Sequence, residues 1–448
     1  NQSFLGIKIE GVVQHYDWGI KGGGSNGVVA QMALAEEDPS KPFAEIWFGT
    51  HPAAPAKVVE LTKDVDLANF IRDKCTGNSL DAFFAANPEF LGSKIQSIFG
   101  KQLPFLLKCL SVAKPLSIQA HPDKSLAQKL FDEDKKNYKD NNHKPELACA
   151  VSEFEGLCGF RPLAEIAANI GSCPELAALL GPEQVDALKA AVAQAGGEES
   201  RDGREALRRA FGALMQCSED RVGASARAMC VRLAAAAQRS PTEDLVLRAN
   251  EFFPGDVGLF NIYFLNHVKL QPGQAIFLGP NEPHAYLAGD CVEIMATSDN
   301  VVRAGFTPKH KDVRVLVDML TYRSGPADIL NGEPVGVGRL YQPAGAEFPE
   351  FSLQRIELPQ GGEPIDLGVS VGPRVVICIE GRAGISAEAG AAAGVPSDAK
   401  REWVIERGPA VLTASGARLL VRAEGAAQSA AGKAAMVFVA GVHGSLES

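Results

Sequence analysis

The hydrophobic pattern of this chain changes its period twice, and this change limits the folds that the chain can adopt. Up to about residue 110, strand-like runs such as 7–13 and 57–61 alternate with Gly and Pro, with a helical stretch around 67–73. From 161 to about 247 the residues are mainly Ala, Leu, Glu and Arg, with apolar positions at helical spacing. Strand-like runs return after Pro254. The pattern predicts a mainly β protein with a helical insertion.

Strands are predicted after the insertion at residues 258–265, 275–278 and 291–296. Beyond about Gly332, further short strands include 375–379 and 418–421, separated by a low-complexity stretch at 383–394. We therefore expect a second, smaller β domain in this tail. A chain of 448 residues exceeds the usual size of a single core, so two or three domains are expected.

Charge and cysteine content exclude several classes of protein. The formal net charge is −10 and no Lys/Arg-rich run occurs, so we expect a small-molecule partner and no nucleic acid. The nine cysteines are scattered without CxxC spacing, which indicates free thiols in a reducing compartment. No run of about 18 apolar residues could cross a bilayer. These features predict a cytoplasmic protein with no membrane partner.

Residues 115–122 carry the most informative polar pattern in the chain. In a strand, Ser117, Gln119 and His121 point to one face, while the apolar residues between them point to the other. A buried polar face is costly unless a metal or a polar ligand satisfies it. The alternative is a solvated hairpin face, which this pattern fits equally well.

Two further segments supply candidate metal ligands. In 142–146, Pro145 keeps Lys144 extended and rigidifies the approach of the Glu146 carboxylate, although an isolated HxxE sequence is usually a surface loop. Residues 272–284 form a turn, a strand and a loop that deliver His284, with a spacing similar to the second cupin sequence motif. Asn281 stands at a usual glycine of that motif, and asparagine tolerates the left-handed conformation required there.

Together these segments supply two imidazoles, one carboxylate and one amide oxygen, from Gln119, His121, Glu146 and His284. Nitrogen and oxygen ligands with open positions favour a catalytic zinc ion over a structural one. A fourth segment, 293–309, begins with a strand that carries Glu293 and continues in a loop with Asp299, Arg303 and Lys309. Composition alone fits a charged surface turn here equally well.

Taken in order, these segments resemble the type I mannose-6-phosphate isomerase family. The resemblance rests on Tyr-Asp-Trp-Gly at 16–19, Glu-Ile-Trp-Phe-Gly-Thr-His-Pro at 45–52, Ser-Ile-Gln-Ala-His-Pro at 117–122, Asn-His-Lys-Pro-Glu at 142–146, Pro-His-Ala-Tyr at 283–286 and Ser-Asp-Asn-Val-Val-Arg-Ala-Gly at 298–305. It implies a cupin-type β-barrel or jelly-roll core in two parts, 1–160 and 251–331. The helical insertion would occupy 161–250, and a cupin-like β domain without metal would occupy 332–448.

The resemblance also implies an activity and a set of site residues. The expected enzyme is a monomeric cupin with one zinc ion per chain, held by Gln119, His121, Glu146 and His284, that interconverts mannose 6-phosphate and fructose 6-phosphate through an enediol. Arg303 matches the active-site arginine of the family, and Lys108 and Ser117 match positions proposed to hold the phosphate in relatives.

Other roles remain open at this stage. Glu293 and Lys144 are the preferred candidates for the proton shuttle, with His51 and Asp299 as further candidates that line the substrate site; each of the preferred pair fits a supporting role equally well. Trp18 and Tyr286 are expected to wall the pocket, and Lys309 to help bind phosphate. Two other classes use a similar pattern: an iron-dependent cupin oxygenase and a non-catalytic sugar-phosphate-binding cupin.

Overall fold

The computed structural model of the chain describes residues 5–22, 27–33, 38, 40–59, 79–193, 200–390, 399–425 and 433–446. The helix expected around 67–73 lies outside these residues. The described chain forms a β-barrel core, a β-sandwich on one side of the core and a layer of helices on the other. This arrangement confirms the predicted fold class.

The barrel is an eleven-stranded sheet that bends around one long central strand, β13 (His284–Ala296). The C-terminal half of β13 pairs on one side with β7 (Phe105–Val112), which is followed by β5 (Glu45–Phe48) and β2 (Val12–Gln14), and on the other with β9 (Glu146–Ala150), which is followed by β12 (Ala275–Leu278) and β15 (Ile329–Leu330). The N-terminal half of β13 pairs with β10 (Phe154–Phe160), which continues to β11 (Leu265–Leu270), and with β8 (Ile118–Ala120), which continues to β14 (Val302–Gly305). Apolar side chains such as Leu110, Phe154 and Ile276 fill one end of the interior, which leaves the other end for polar groups.

The β-sandwich contains an eight-stranded and a four-stranded sheet. The larger sheet is built from β16 (Glu333–Val335), β17 (Gly338–Tyr341), β18 (Ser352–Pro359), β25 (Lys433–Gly441), β20 (Arg374–Gly381), β23 (Ala410–Thr413), β1 (Gly6–Glu10) and β6 (Lys57–Val58). The smaller one is built from β19 (Ile365–Val369), β24 (Ala417–Ala423), β21 (Ala383–Ala389) and β22 (Lys400–Ile405). A separate pair consists of β3 (Ile20–Lys21) and β4 (Pro42–Phe43). The outer face of the larger sheet packs on the barrel through residues such as Phe438 and Leu107.

Two features of this sandwich differ from what the sequence pattern suggests. The sequence pattern predicts a low-complexity stretch between strands at 383–394, but Ala383–Ala389 forms β21, which pairs with β22 and β24. The chain also begins in the sandwich, since β1 pairs with β23 and β6. The first 160 residues, expected in the catalytic core, therefore contribute strands to the barrel and also to the larger sheet of the sandwich.

The helices of the insertion are Leu163–Ser172, Pro174–Leu180, Pro182–Ala193, Arg201–Met215, Glu219–Ala235 and Pro241–Phe252. Local capping defines two of their starts: Ser200 accepts from the backbone N–H of Gly203, and Ser240 forms a capping box with Glu243. Their apolar faces pack on the outer side of β8, β10 and β14. The remaining helices are Val28–Met32, Leu80–Ala86, Ser93–Phe99, Lys124–Glu133, Gly258–Asn261 and Val313–Met319, with 3₁₀ turns at Pro88–Leu91 and Gly444–Leu446.

The strand predicted at 258–265 is wrong. The structure has the short helix Gly258–Asn261 there, and β11 begins only at Leu265. A short apolar run fits a buried helix and a buried strand equally well. Packing decides between them, because Leu259 and Phe260 are fully buried among the helices. Gly258 also lies against Gly305, so closely that a Cβ added to Gly305 would lie 2.6 Å from the Cα of Gly258.

The helices of the described ranges differ in length and apolar character. No single helix there is long and apolar enough to cross a membrane. The adjoining pair Leu163–Ser172 and Pro174–Leu180 passes by length and composition together, with a bend of 109° between its members.

Candidate active site

Strand register gathers the candidate residues at the polar end of the barrel. On one wall, His284 of β13 lies opposite Gln119 of β8, and Gln119 lies opposite Arg303 of β14. On the other wall, Glu146 of β9 lies opposite Met295 of β13. Directly opposite residues of antiparallel strands point to the same face, so these side chains share the interior. His121 follows β8 by one residue and closes the group.

Three ligand atoms converge in this interior. Nε2 of His121 and Nε2 of His284 lie 3.4 and 3.3 Å from Oε2 of Glu146, and all three side chains are buried. Each of these atoms lacks a hydrogen-bond partner within the described structure. Buried polar atoms without partners are costly. The cluster has the composition and spacing of a metal site that holds three protein ligands.

The other ring nitrogen of each histidine, Nδ1, lies beside a backbone carbonyl oxygen. The Nδ1 atom of His121 lies 2.6 Å from the carbonyl oxygen of Asn300, and Nδ1 of His284 lies 3.0 Å from that of Glu282. A carbonyl accepts from a protonated Nδ1, so the lone pair is left on Nε2, which faces Glu146. Burial and the nearby Lys144 lower the pKa of His121 to about 4, which keeps this ring neutral at pH 7.

Gln119 is the fourth expected ligand. Its backbone lies between those of His284 and Arg303, and its Oε1 accepts a hydrogen bond from Ser117 Oγ at 3.2 Å. Both side chains are partly exposed. The contact agrees with the predicted shared face of Ser117, Gln119 and His121, and the left-handed backbone predicted for Asn281 is confirmed at φ 62°.

A row of charges crosses the other wall. Trp47 of β5, Lys108 of β7 and Glu293 of β13 lie opposite one another, and Lys108 Nζ is 3.1 Å from Glu293 and 3.6 Å from Glu45. Burial disfavours the charge of Lys108, but these carboxylates outweigh burial and raise its pKa above the ordinary range. Tyr286 donates from its hydroxyl to Glu293 at 2.8 Å.

The two candidates for the proton shuttle lie on this same wall, Glu293 on β13 and Lys144 just before the neighbouring β9. Burial and the charge of Glu146 raise the pKa of Glu293, although Lys108 opposes this shift. Glu293 contacts Lys108 and Tyr286, and no ion pair joins it to Arg303 in the described structure. Lys144 is buried with its Nζ 2.9 Å from Glu146 Oε1. Burial opposes ionisation of Glu146, but Lys144 and His121 hold its pKa well below the usual range.

His51 and Asp299 form a pair at the edge of the site. Nδ1 of His51 accepts from the backbone N–H of Ala53, so its Nε2 carries the proton and donates to Asp299 Oδ1 at 3.2 Å. This hydrogen bond lowers the pKa of Asp299. The ring of Trp18 stacks on that of Tyr16 at 5.8 Å between centroids.

Arg303 and Lys309 lie on and after β14. The Arg303 guanidinium is half-buried, and burial lowers its pKa. No carboxylate of the described chain forms an ion pair with it. Lys309 lies on the exposed loop beyond β14, where its backbone N–H donates to Thr307.

Two residues of this site were not singled out from the sequence. Glu45 is buried, accepts from the Trp47 indole and pairs with Lys108. Its alternation with Ile46 on β5 was the available signal, since a buried carboxylate on a strand needs a cation. Asn300 orients His121 through a backbone carbonyl, which no side-chain pattern reveals.

A buried His/Glu/His cluster with the spacing of a metal site, inside a barrel of this topology, is typical of enzymes with the cupin fold. Residues 7–163 match the family description "Phosphomannose isomerase type I, catalytic domain", and residues 179–265 match its "helical insertion domain". The chain is 39% identical to the mannose-6-phosphate isomerase of Candida albicans over 94% of this chain and 96% of that protein. It is 38% identical to that of Mus musculus over 83% and 86%.

The chain therefore belongs to the type I phosphomannose isomerase family. The fold agrees: phosphomannose isomerase from Salmonella typhimurium in its apo form superimposes with a TM-score of 0.76 at 24% identity, over 98% of this chain and 99% of that one. Family membership confirms the resemblance found in the sequence and the prediction of an aldose-ketose isomerase.

Proposed function

We propose that this enzyme interconverts mannose 6-phosphate and fructose 6-phosphate with one zinc ion held by Gln119, His121, Glu146 and His284. The observation that carries the metal assignment is the convergence of three buried ligand atoms without partners. Homologues that cover most of the chain carry the name of this reaction. One phosphomannose isomerase with a matching fold, at a TM-score of 0.74, is described as bound with zinc and yttrium.

The ligand chemistry supports zinc. Two neutral imidazoles, one carboxylate and one amide oxygen are ligands that zinc accepts, and the set leaves room for a substrate oxygen. When bound, the ion supplies Lewis acidity to a substrate oxygen and stabilises negative charge that develops on it. With a single carboxylate and otherwise neutral ligands, the site would keep a net charge of about +1 for this purpose.

The reaction moves a proton between C1 and C2 of the open-chain sugar, so it needs a base and a stabiliser of negative charge. Glu293 fits the base because its raised pKa brings a carboxylate closer to neutral pH. Tyr286 holds one of its oxygens by a hydrogen bond. Lys144 is the second candidate for the proton-transfer group, since its Nζ lies inside the site beside Glu146. Arg303 carries an uncompensated charge toward the same interior and stabilises the enediol oxygen.

Other residues bind and orient the substrate in this proposal. Ser117 and Lys309 hold the phosphate, on the same side of the barrel as Arg303. Trp18 and Tyr286 wall the pocket, and the His51–Asp299 pair lines its edge. Lys108 was expected to bind phosphate, but its Nζ lies between two buried carboxylates. We therefore propose that it acts through these carboxylates by holding Glu293 in position.

The metal proposal is tested by removal, replacement and a matched substitution. A chelator should abolish activity and lower the melting temperature, and stoichiometric zinc should restore both. Glu146→Gln should lower the zinc content measured by elemental analysis. Glu155→Gln is the matched control, because Glu155 is also buried and bonded to a histidine, His267, but lies outside the site. Full activity of a preparation shown to be free of metal would contradict the proposal.

A further inference from the structure

The C-terminal β-sandwich reaches the loop that carries Lys144. Residues 342–351 connect β17 to β18, contact the barrel where Phe348 packs against Phe277, and carry Glu350 near their end. Oε1 of Glu350 lies 2.6 Å from Nε2 of His143, the residue before Lys144. Both side chains are buried, at 4% and 6% exposure. A buried carboxyl at this distance forms a strong hydrogen bond and fixes the imidazole that it contacts.

Anchoring His143 also constrains Lys144. Pro145 disfavours a helical backbone at Lys144, and residues 142–145 form no helix or strand. In an extended chain, consecutive side chains point to opposite sides. His143 accordingly contacts the sandwich, while Lys144 enters the barrel and places its Nζ 2.9 Å from Glu146. Rotation of the loop about its own axis would move both side chains together.

The opposite side of the loop is already held by the catalytic barrel. The carbonyl of Asn142 accepts from Ser298 Oγ at 3.0 Å and from the Asn300 side chain at 2.9 Å. The Asn142 side chain donates to the carbonyl of Thr297 at 3.1 Å. These contacts fix Asn142, but they do not set the rotation of the two residues that follow it. Glu350 supplies a contact at the next position.

The segment that presents Glu350 is itself firmly held. His443, just after β25, donates its backbone N–H to the carbonyl of Pro349 at 3.1 Å, and its Nε2 lies 3.0 Å from the carbonyl of Pro343. Phe348 of the same segment packs its ring against His143, at 5.9 Å between centroids, and against Phe277 of β12. The carboxyl of Glu350 is thus delivered by a framework outside the barrel.

We infer that Glu350 is a positioning residue for the isomerase reaction: through His143 it holds Lys144 in register with the metal site. The inference rests on the proposed function, and within it on the second candidate for proton transfer, Lys144. It gives the C-terminal sandwich a part in the reaction, because a side chain from that sandwich sets the geometry inside the barrel. Small displacements of a catalytic group cost about 10²-fold in rate, so one lost anchor has a measurable effect.

The first test is Glu350→Gln, which keeps the size and one oxygen acceptor but removes the carboxylate. We expect kcat to fall about tenfold with KM within about twofold, and Glu350→Ala to fall about 10²-fold. Zinc content should stay unchanged in both. The matched control is Glu155→Gln, which removes a buried carboxylate that contacts a histidine, His267, outside the site, and should keep kcat. An unchanged kcat in Glu350→Ala would overturn the inference.

A double-mutant cycle separates positioning from general loss of stability. If Glu350 acts through Lys144, then Glu350→Gln should cost less than about twofold in kcat in a Lys144→Ala background. The same tenfold loss in both backgrounds would refute the inference. If Lys144→Ala itself keeps full kcat, the proposed role of Lys144 fails instead, and the two failures are thereby distinguished.

A substitution at His143 covers the case in which the Glu350 variants fail to fold. His143→Gln retains a donor toward Glu350 and should keep kcat within about threefold, whereas His143→Leu should lose as much as Glu350→Ala. Equal kcat in the two His143 variants, with melting temperatures near that of the unmodified enzyme, would show that the hydrogen bond does not position the loop.

Discussion

Replacement of Arg303 by alanine tests the proposed stabilisation of the enediol. The magnitude follows from the environment of the guanidinium, which is half-buried and has no carboxylate partner in the described structure. A full charge at 4 Å in an effective dielectric constant of about 20 interacts by about 4 kcal/mol. Only part of a charge develops on the enediol oxygen, so we expect a loss of about 2.7 kcal/mol, or about 10²-fold in kcat.

The same environment predicts the effect on stability. Burial lowers the pKa of Arg303, which means that the folded state disfavours this charge and gains no ion pair from it. Arg303→Ala should therefore change the melting temperature by no more than about 2 °C. A catalytic charge held without a partner is a case in which function and stability favour different residues.

Steady-state kinetics in a coupled assay check the expected fall in kcat. Thermal unfolding of the same preparations checks the expected stability, and their zinc content is measured as a control. Arg303→Lys should recover little activity, because a point charge lacks the planar, two-pronged donor geometry of arginine. A variant with raised KM and unchanged kcat would place Arg303 on the phosphate and refute the catalytic assignment. A large fall in melting temperature would show that Arg303 is structural.

Four further predictions address the metal, the substrate and the charges. His284→Ala should reduce both zinc content and kcat, and an unchanged zinc stoichiometry would remove His284 from the site. Free mannose should give a much lower kcat/KM than mannose 6-phosphate, because charge-assisted contacts to phosphate are the strong ones; equal values would contradict this. Lys108→Met should lower kcat and destabilise the fold by about 3–5 kcal/mol in denaturant unfolding, since it leaves Glu45 and Glu293 buried without their cation; an unchanged midpoint would refute its proposed role. Burial favours the neutral form of Glu155, but its partners His267 and Arg248 lower its pKa from 4.5 to about 2, so its stabilisation is complete above pH 4.5 and is lost as the pH falls toward 2. Glu155→Gln should therefore remove up to about 3 kcal/mol at pH 7 and flatten the acid limb of the stability curve, and an identical acid limb would contradict the shift.

The predictions of oligomeric state and compartment stay predictions, as do the bounds of the four domains. Of these properties, the division into domains depends most on contacts between residues far apart in the chain. Strands β1 and β6, from the first part of the chain, pair inside the sheet formed mainly by residues after 332. Strand pairing depends on partners hundreds of residues away, so periodicity within a short window does not determine which sheet a strand joins.

The sequence alone determined the local geometry of the metal site. Strand alternation places Ser117, Gln119 and His121 on one face, and the position of Asn281 in its motif indicated a left-handed residue. Both depend on interactions between residues close in the chain, which is why a sequence pattern can reveal them. The order of the motifs was enough to indicate the family.

Tertiary structure decided which groups meet in the site and what holds them there. Glu45 reaches Lys108 through the register of β5 with β7, Asn300 orients His121 with a backbone carbonyl, and Glu350 arrives from the sandwich. Tertiary packing also made residues 258–261 helical, because Leu259 and Phe260 are buried among the helices. The free energy of each contact comes from burial and hydrogen bonding between segments far apart in the chain, and no local sequence pattern records where such segments meet.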